Sequence, residues 1–333
     1  MAPKLPQLVD SFGRTHNYLR VSVTDRCNLR CSYCDPQGVS RRTQCRETLS
    51  FAEIIRLVRL FAGMGVVKVR LTGGEPLIRE NIEQLVEQVV RIPGIETVGM
   101  TTNGVLLKDK LHALKKAGLS ALNVSLDTLR PERFSRITGR NQFHRVRESI
   151  YAALDEGFVP LKINTVIIRS LNDDELVDFV ELACKAPISV RFIEYMPFSS
   201  NLWRNEDFVS WSQMRQVIER RYGLNPLKGR SEENTVAREY GIDGFAGRVG
   251  FITPLSSKFC HRCSRLRLTS DGHLKLCLHY PEEIDLVSPL RAGLSDKELA
   301  EMIYTGLRKK PKEHEAVAGV KLKGDRKMAE MGG

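Results

Sequence analysis

The sequence predicts an α/β fold, a partial (βα)6 TIM-like barrel followed by a smaller, irregular C-terminal domain. Three observations predict it. Strand-like runs alternate with helical patterns, polar and glycine motifs follow these runs, and the alternation stops after about residue 225. Strands separated by helices pair in parallel, and a doubly wound open sheet is the alternative that periodicity leaves open. The six runs are Tyr18–Val23, Val66–Leu71, Ile95–Thr101, Ala121–Leu126, Leu161–Ile167 and Ile188–Tyr195.

The first helix has the clearest boundaries. Ser50 and Glu53 have the spacing of a capping box, an apolar stripe follows, and Gly63 and Gly65 end the helix. A helical pattern also lies between each later pair of strands. In parallel folds the chemistry collects at the carboxyl ends of the strands. The motifs at those ends are Thr72-Gly73-Gly74-Glu75-Pro76, Thr101-Thr102-Asn103-Gly104, Ser125 with Asp127, and Met196-Pro197.

The loss of alternation sets the domain boundary. We assign residues 1–225 to the barrel and residues 226–333 to the C-terminal domain, because glycine, proline and charged residues dominate from Asn225 to Gly250. Residues 308–333 are highly charged and end in Gly332-Gly333, which predicts a flexible tail.

Composition limits the classes of partner. With 42% hydrophobic and 27% charged residues the chain is an ordinary globular protein, and no apolar run reaches the roughly 18–20 residues that span a bilayer. The first ten residues lack a signal core, so we expect a cytoplasmic location and no membrane partner. The net charge of +11 indicates an anionic ligand or a solvated basic surface. Because the cations are dispersed and no nucleic-acid motif is present, we favour a small phosphorylated ligand over nucleic acid.

The cysteines point to metal chemistry. Six of the eight cysteines form two groups of three, and groups of odd number are a poor disulfide framework. Cys27, Cys31 and Cys34 have a Cys-x3-Cys-x2-Cys spacing on a loop after a strand. Three thiolates can hold three irons of a [4Fe–4S] cluster and leave the fourth iron open to a small chelating ligand. A zinc site completed by His16 is the alternative.

The second group comprises Cys260, Cys263 and Cys277. Zinc is the alternative here too, since His261, His273 or His279 could complete a tetrahedron. Arg265 and Arg267 follow Cys263 directly. Guanidinium groups suit carboxylate or phosphate, so they favour a metal centre that meets an anionic ligand over a purely structural ion.

The first cysteine group, with Tyr33 before its last cysteine, resembles the signature of radical S-adenosylmethionine (SAM) enzymes. Gly73-Gly74-Glu75-Pro76 resembles their glycine-rich strip. From Phe12 to Gly333 the chain resembles one family among them, the GTP 3′,8-cyclases of molybdenum-cofactor biosynthesis. Asp35 departs from the family pattern, which commonly has Met there. The blocks that carry the resemblance are Tyr18–Arg20, Cys27–Cys34, Val69–Pro76, Thr101–Gly104, Asn123–Asp127, Phe192–Pro197 and Cys260–Arg267.

The resemblance implies a role for individual residues and cofactors. It implies two [4Fe–4S] clusters, each held by three cysteines, with Cys27, Cys31 and Cys34 at the first and Cys260, Cys263 and Cys277 at the second. It assigns SAM contacts to Tyr33, Gly74, Ser125 and Met196. It assigns GTP contacts to Arg20, Arg70, Thr101, Lys162, Arg265, Leu266 and Arg267, and has the double-glycine end, Gly332-Gly333, reach into the site.

The resemblance also implies a reaction, that of a lyase. A 5′-deoxyadenosyl radical would take hydrogen from C3′ of GTP, and the C3′ radical would attack guanine C8. An electron from the second cluster would quench the resulting aminyl-type radical, which gives (8S)-3′,8-cyclo-7,8-dihydroguanosine 5′-triphosphate. An electron donor, and a cyclic pyranopterin monophosphate synthase as the next enzyme, are the implied partners. The alternatives are a radical SAM enzyme that modifies a peptide and a zinc- or cluster-bearing regulator that binds nucleic acid. The sequence leaves the oligomeric state open, a homodimer included.

Overall fold

The computed structural model describes residues 5–34, 47–198, 201–227, 236–314, 326 and 328–331. Gly332 and Gly333 lie outside the described residues, as does Asp35. The strands are β1 (Tyr18–Ser22), β2 (Lys68–Thr72), β3 (Thr97–Thr102), β4 (Ala121–Ser125), β5 (Leu161–Ile167), β6 (Ile188–Glu194), β7 (Asn225–Pro226), β8 (Arg238–Gly241), β9 (Arg248–Ile252), β10 (Arg265–Leu268), β11 (His273–Lys275) and β12 (Glu283–Asp285). The helices are α1 (Phe51–Gly63), α2 (Ile82–Val90), α3 (Leu107–Lys116), α4 (Pro131–Thr138), α5 (Phe143–Asp155), α6 (Leu176–Lys185), α7 (Trp211–Glu219), α8 (Val287–Arg291), α9 (Asp296–Leu307) and α10 (Met328–Met331).

Strands β1 to β6 lie side by side in chain order, and each neighbouring pair is parallel. The six predicted strands and their pairing are confirmed. Leu19 and Val21 are fully buried on one face of β1. Arg20 lies between them, points to the opposite face and lines a cavity, because successive side chains of a strand alternate in direction. The sheet therefore has one face packed on helices and one face that carries polar groups.

Helix α1 follows its sequence signals closely. The Glu53 amide donates to Ser50 Oγ at 3.2 Å and the Ser50 amide donates to Glu53 Oε2 at 2.6 Å, so both arms of the predicted capping box are present. Its apolar stripe, which includes Ile54, Leu57 and Phe61, is fully buried, and the helix ends at Gly63. The capping hydrogen bonds and the buried stripe thus fix both the start and the inner face of α1.

The C-terminal residues extend both edges of the same sheet. Strand β9 pairs in parallel with β6 and continues into antiparallel β8 and β7, while β10 pairs in parallel with β1 and continues into antiparallel β11 and β12. These strands have two to five residues, too few for their periodicity to be visible among glycine and charged residues. The predicted boundary between residues 225 and 226 remains a prediction.

The described part of the predicted tail is packed against the rest of the chain. Lys310 and His314 are buried, and so are Ala329 and Met331 in α10. The flexibility expected for residues 308–333 remains a prediction. No helix within the described ranges is long and apolar enough to cross a membrane.

Candidate active site

The sheet encloses a cavity of about 410 Å³ whose lining gathers most of the predicted site. Leu266 is absent from the lining, because its side chain is fully buried opposite Leu19 and only its backbone remains for a contact. The predicted residues that do line the cavity are Cys27, Cys31, Cys34, Cys260, Cys263, Cys277, Tyr33, Gly74, Ser125, Met196, Arg20, Arg70, Thr101, Lys162, Arg265 and Arg267.

The two cysteine groups lie beyond opposite ends of neighbouring strands. In the parallel pair β1 and β10, Tyr18 is opposite Arg265. Cys27 follows the carboxyl end of β1, whereas Cys263 precedes the amino end of β10. Strands rise about 3.3 Å per residue, so the length of the strands separates the two groups. The expectation that all the chemistry gathers at the carboxyl ends is therefore wrong for the second group, because Cys260 and Cys263 precede β10 and Cys277 follows β11, which runs antiparallel to β10 and ends beside its start.

The first cysteine loop is held by its backbone. The Arg30 amide donates to the Thr138 carbonyl at 2.8 Å and the Ser32 amide to the Ile137 carbonyl at 2.9 Å, which ties the loop to the end of α4. Burial raises the pKa of the Cys27 thiol to about 11 and that of Cys31 well above its usual value. Thiols with a raised pKa ionise when a metal supplies the compensating charge. The three thiols on this one short loop fit a cluster with one open iron.

Gly73 and Gly74 let the end of β2 lie directly against this loop. The Gly74 amide donates to the Thr24 carbonyl at 2.8 Å, and the Glu75 amide donates to the Arg26 carbonyl at 2.8 Å. A Cβ on Gly74 would lie 2.1 Å from the Arg26 carbonyl oxygen, and Gly73 has a φ of +150°. Glycine is required at both positions, and the exposed edge of this strip faces the cavity.

Glu75 is a structural residue that sequence reasoning did not single out. It is fully buried, and its carboxylate accepts from Thr102 Oγ1 at 2.7 Å, from the Asn103 amide at 2.7 Å and from the Leu77 amide at 3.0 Å. Burial raises its pKa to about 7, although these hydrogen bonds act in the opposite direction. Glu75 therefore ties the ends of β2 and β3 together beside the first cysteine loop.

Asp127 fixes the position of Tyr33. The phenol donates to Asp127 Oδ2 at 2.6 Å, while Asp127 Oδ1 accepts from the Val166 amide at 2.9 Å. Burial raises the pKa of Asp127 to about 6, against the lowering effect of both hydrogen bonds. The Tyr33 ring also meets Tyr195 edge-on, with 6.4 Å between ring centroids. The aromatic residue of the cysteine motif is thus fixed from two sides.

Arg20, Arg70 and Arg267 lie within their strands and line the cavity. Arg20 is opposite Arg70 on β2 and opposite Arg267 on β10, so three guanidinium groups sit at one level of three adjacent strands. Neighbouring strands are about 4.8 Å apart. Burial lowers the pKa of Arg267 strongly, and the charges of Arg20 and Arg265 lower it further. This concentration of positive charge favours a polyanionic ligand between the two cysteine groups.

Two more cations line the cavity that sequence reasoning missed, Lys68 and Arg191. Lys68 is two residues before Arg70 on β2, and this spacing is the signal that places both on one face. Arg191 is paired with Glu239. Lys162 on β5 has its pKa lowered to about 7, first by burial and then by the charges of Arg191, Arg70 and Lys68. A negatively charged ligand would restore its charged form.

Three side-chain oxygen atoms on the cavity wall have no hydrogen-bond partner among the described residues, although they are buried. They are Thr101 Oγ1, Asn123 Oδ1 and Asn164 Oδ1. Thr101 is opposite Asn123 in the register of β3 and β4. Buried polar atoms are nearly always paired, so these atoms point to a polar ligand with hydrogen-bonding groups.

The second cysteine group surrounds a tight turn. The Cys263 amide donates to the Cys260 carbonyl at 3.2 Å, and Cys277 follows β11. Burial would raise the pKa of the Cys263 thiol, but the charges of Lys310 and Arg265 lower it to about 6. Burial raises the pKa of the Cys260 thiol. Three thiols with a strong positive field beside them fit a second cluster.

Three of the four histidines proposed for the zinc alternatives have other contacts. His16 is fully buried with its Nε2 3.0 Å from Asp10 Oδ2, His273 lies 3.4 Å from Asp271, and the His279 ring stacks on Phe198 with a centroid distance of 5.5 Å. These contacts give no support to the zinc sites that would use these three side chains.

Comparison with known proteins identifies the family. The model of the radical SAM superfamily matches residues 21–183, and the model named Molybdenum Cofactor Synthesis C matches residues 188–316. A GTP 3′,8-cyclase of Syntrophomonas wolfei is 44% identical over 98% of this chain and the whole of that protein. The chain belongs to the GTP 3′,8-cyclase family. Membership of the radical SAM superfamily implies a [4Fe–4S] cluster and SAM.

Other members of the family differ in length. A mitochondrial GTP 3′,8-cyclase of Arabidopsis thaliana is 43% identical over 99% of this chain and 85% of that protein. The bovine protein named Molybdenum cofactor biosynthesis protein 1 is 45% identical over 98% of this chain. This chain spans about half the length of the mammalian relatives, 52% in the bovine case.

A solved structure of another protein confirms the fold class. SuiB of Streptococcus suis bound to S-adenosylmethionine has a TM-score of 0.59 and covers 88% of this chain and 68% of its own. Its sequence identity is 16%, so the likeness concerns the fold alone. The predicted radical SAM partial barrel is confirmed, and the C-terminal matched region adds the outer strands on both edges.

Proposed function

We propose that this member of the family is a radical SAM GTP 3′,8-cyclase that converts GTP to (8S)-3′,8-cyclo-7,8-dihydroguanosine 5′-triphosphate, the first step of molybdenum-cofactor biosynthesis. One observation carries the proposal. A single cavity is lined by two cysteine groups at opposite ends of the strands, with the row of Arg20, Arg70 and Arg267 across three adjacent strands between them. A nucleoside triphosphate is long enough and anionic enough to occupy that space.

At the first end, Cys27, Cys31 and Cys34 would hold a [4Fe–4S] cluster, which when bound supplies the electron that cleaves SAM to methionine and a 5′-deoxyadenosyl radical. The protein contributes position. The strip at Gly74 presents backbone beside the cysteine loop, and Tyr33 is held by Asp127 for contact with the adenine. Ser125 at the end of β4 and Met196 just after β6 line the cavity and complete the proposed SAM contacts.

At the second end, Cys260, Cys263 and Cys277 would hold the other cluster, next to the guanine. Arg265, Arg267, Arg20, Arg70 and Lys162 neutralise the triphosphate, and Thr101 offers an unpaired hydroxyl. Lys68 and Arg191 join this set. These side chains hold the ribose C3′ toward the SAM end, and the enclosed cavity keeps water from the reactive groups.

The decisive experiment uses GTP carrying deuterium at C3′. The anaerobically reconstituted protein is incubated with SAM, dithionite and this substrate, and the products are separated and weighed by mass spectrometry. We expect deuterium in 5′-deoxyadenosine and a cyclised product that has lost it. Unlabelled 5′-deoxyadenosine with unchanged GTP would refute the proposal and leave a peptide or another substrate open. A colourless protein without iron would support the zinc-bearing regulator.

Arg265 and Arg267 should each contribute to GTP affinity. Replacing either by alanine is expected to weaken GTP binding by about 1.5–3 kcal/mol, the scale of a hydrogen bond to a charged group, which corresponds to about 10–150-fold in Kd. Anaerobic calorimetry measures the change, with iron content expected to equal that of the parent. Arg147→Ala, at an exposed position outside the cavity, is the matched control. Parent-like affinity in both cavity variants would contradict their role.

GTP binding should depend on pH through Lys162. The pKa of Lys162 is about 7. Because a bound triphosphate raises this pKa, GTP binding takes up a proton above pH 7. Kd should therefore rise between about pH 7 and 9, toward tenfold per pH unit. Lys162→Arg remains charged over this range and should flatten the profile. The pKa of Tyr18, which burial would raise, is lowered to about 7 by Arg70, Arg20 and Lys68. Tyr18 is present in both the parent and the Lys162→Arg variant. Equal pH profiles of Kd in these two proteins would therefore exclude Lys162 as the source of the pH dependence.

The remaining assignments are also proposals. They are an external electron donor, the downstream cyclic pyranopterin monophosphate synthase, a backbone contact from Leu266, and entry of Gly332-Gly333 into the cavity. The cytoplasmic location remains a prediction, since the name of the Arabidopsis relative places that protein in mitochondria.

A further inference from the structure

Two buried cations hold the second cysteine group, and neither belongs to the GTP row. Lys310 follows α9 and is 3% exposed. Its ammonium group donates to the Arg265 carbonyl at 2.9 Å and also to the Leu276 carbonyl. Arg265 is two residues after Cys263, and Leu276 directly precedes Cys277. Lys310 therefore joins the backbone segments that carry two of the three cysteines.

Arg14 joins the remaining cysteine, Cys260, to the segment that contains Lys310. Its Nη1 donates to the Cys260 carbonyl at 2.8 Å and to the Lys312 carbonyl at 2.7 Å, while Nη2 donates to the Pro311 carbonyl at 2.8 Å. Its Nε donates to Asp10 Oδ2 at 2.6 Å, and Asp10 is buried. The residues around Lys310 are thus bound to Cys260 through one guanidinium group. All three cysteine segments converge on Arg14 and Lys310.

We infer that Arg14 and Lys310 are positioning residues that assemble the second cysteine group before its cluster binds and that hold positive charge beside the bound cluster. This rests on the proposed second cluster. The hydrogen bonds go to backbone carbonyls, so the two cations fix where the cysteine backbones lie without occupying the thiols. Three thiolates make the cluster and its ligands net negative, and one-electron reduction adds another negative charge. A nearby fixed cation favours the reduced form.

The consequence is measurable without any turnover. Lys310→Met keeps most of the side-chain volume and removes both hydrogen bonds and the charge. It is expected to lose at least half of the second-group iron after anaerobic reconstitution, and the cluster that remains should have a lower midpoint potential. Lys310→Arg keeps the charge and several donors, and should restore iron and potential toward the parent values. Lys309→Met, at the exposed neighbouring position, is the matched control and should equal the parent.

The test uses the full chain in a background with Cys27, Cys31 and Cys34 replaced by alanine, so that all cluster iron belongs to the second group. Iron and sulfide are assayed, and the midpoint potential is read by electron paramagnetic resonance during a redox titration. The same Lys310→Met change in the chain with all cysteines present reports whether the first cluster survives. Circular dichroism reports whether the helices survive.

Each outcome decides the inference. Equal iron and equal potential in Lys310→Met and Lys309→Met would overturn it while leaving the proposed function intact. Loss of both clusters or of helical structure would show a general folding role and would also overturn it. If the protein without Cys27, Cys31 and Cys34 binds no cluster at all, the second cluster does not exist, and both the proposed function and this inference are refuted. Selective loss of iron at the second group in Lys310→Met, reversed in Lys310→Arg, supports the positioning role of Lys310.

Discussion

Replacing Cys27, Cys31 and Cys34 together by alanine is expected to abolish SAM cleavage and to halve the iron content. Two cubane clusters give about eight irons per chain and one gives about four. SAM cleavage is lost because the electron that cleaves the sulfonium would come from the cluster that these three cysteines hold. The measurements are iron and sulfide content after anaerobic reconstitution, and 5′-deoxyadenosine formed with dithionite.

The matched variant replaces Cys260, Cys263 and Cys277. It should lose the same amount of iron but retain some cleavage of SAM that is uncoupled from cyclisation, because the first group and the strip at Gly74 are at the opposite end of the strands. Equal loss of cleavage in both variants would contradict the division of labour between the two ends. A tightly held zinc in place of the second cluster would contradict the donor set itself.

Replacing Gly74 by alanine is expected to have the second largest effect. The added Cβ would lie 2.1 Å from the Arg26 carbonyl oxygen and 2.9 Å from the Asp25 carbonyl oxygen. Both are backbone atoms of the segment that leads into the cysteine loop, and the hydrogen bonds of the Gly74 and Glu75 amides hold them there. Relief of the clash must separate the strip from the loop, at a cost of about 1–3 kcal/mol or more.

We therefore expect SAM affinity to fall by at least tenfold, about 1.4 kcal/mol, and 5′-deoxyadenosine formation to fall with it. Iron at the second group should be unchanged, since the strip lies at the other end of the strands. Gly223→Ala is the control, because no described atom outside residues 222–224 lies within 4 Å of its added Cβ. Cleavage of SAM by Gly74→Ala at the rate of that control would show that the strip tolerates a side chain.

Local signals were sufficient for much of the fold. The six barrel strands have five to seven residues and are flanked by helices with strong apolar stripes, so their period is readable without tertiary information. The Ser50 and Glu53 capping box is equally local. The short strands β7 to β12 were not predictable, because two to five residues among glycines carry no measurable period and their pairing partners lie far away in the chain.

The site divides in the same way. The spacing of Cys27, Cys31 and Cys34 and the glycines at positions 73 and 74 predicted a SAM end, because both motifs act through short, continuous stretches of backbone. Lys310 was not predictable, since nothing in a run of charged residues distinguishes the one that is buried. Arg191 was missed because only the tertiary structure shows that it faces the cavity that contains Arg20, whereas the spacing of Lys68 two residues before Arg70 was a signal that could have found Lys68.

By itself the sequence determined the family, the two groups of three thiols and the six parallel strands, since each depends on residue types at fixed spacing. Only the tertiary structure decided that the two groups lie at opposite ends of the strands with the guanidinium row between them. The physical reason is the parallel pairing of β1 with β10, in which Tyr18 is opposite Arg265 and Leu19 is opposite Leu266. In the sequence, 246 residues lie between Tyr18 and Arg265. Backbone hydrogen bonds between distant segments, and the burial of Leu19 and Leu266 that they permit, are not encoded in any local pattern.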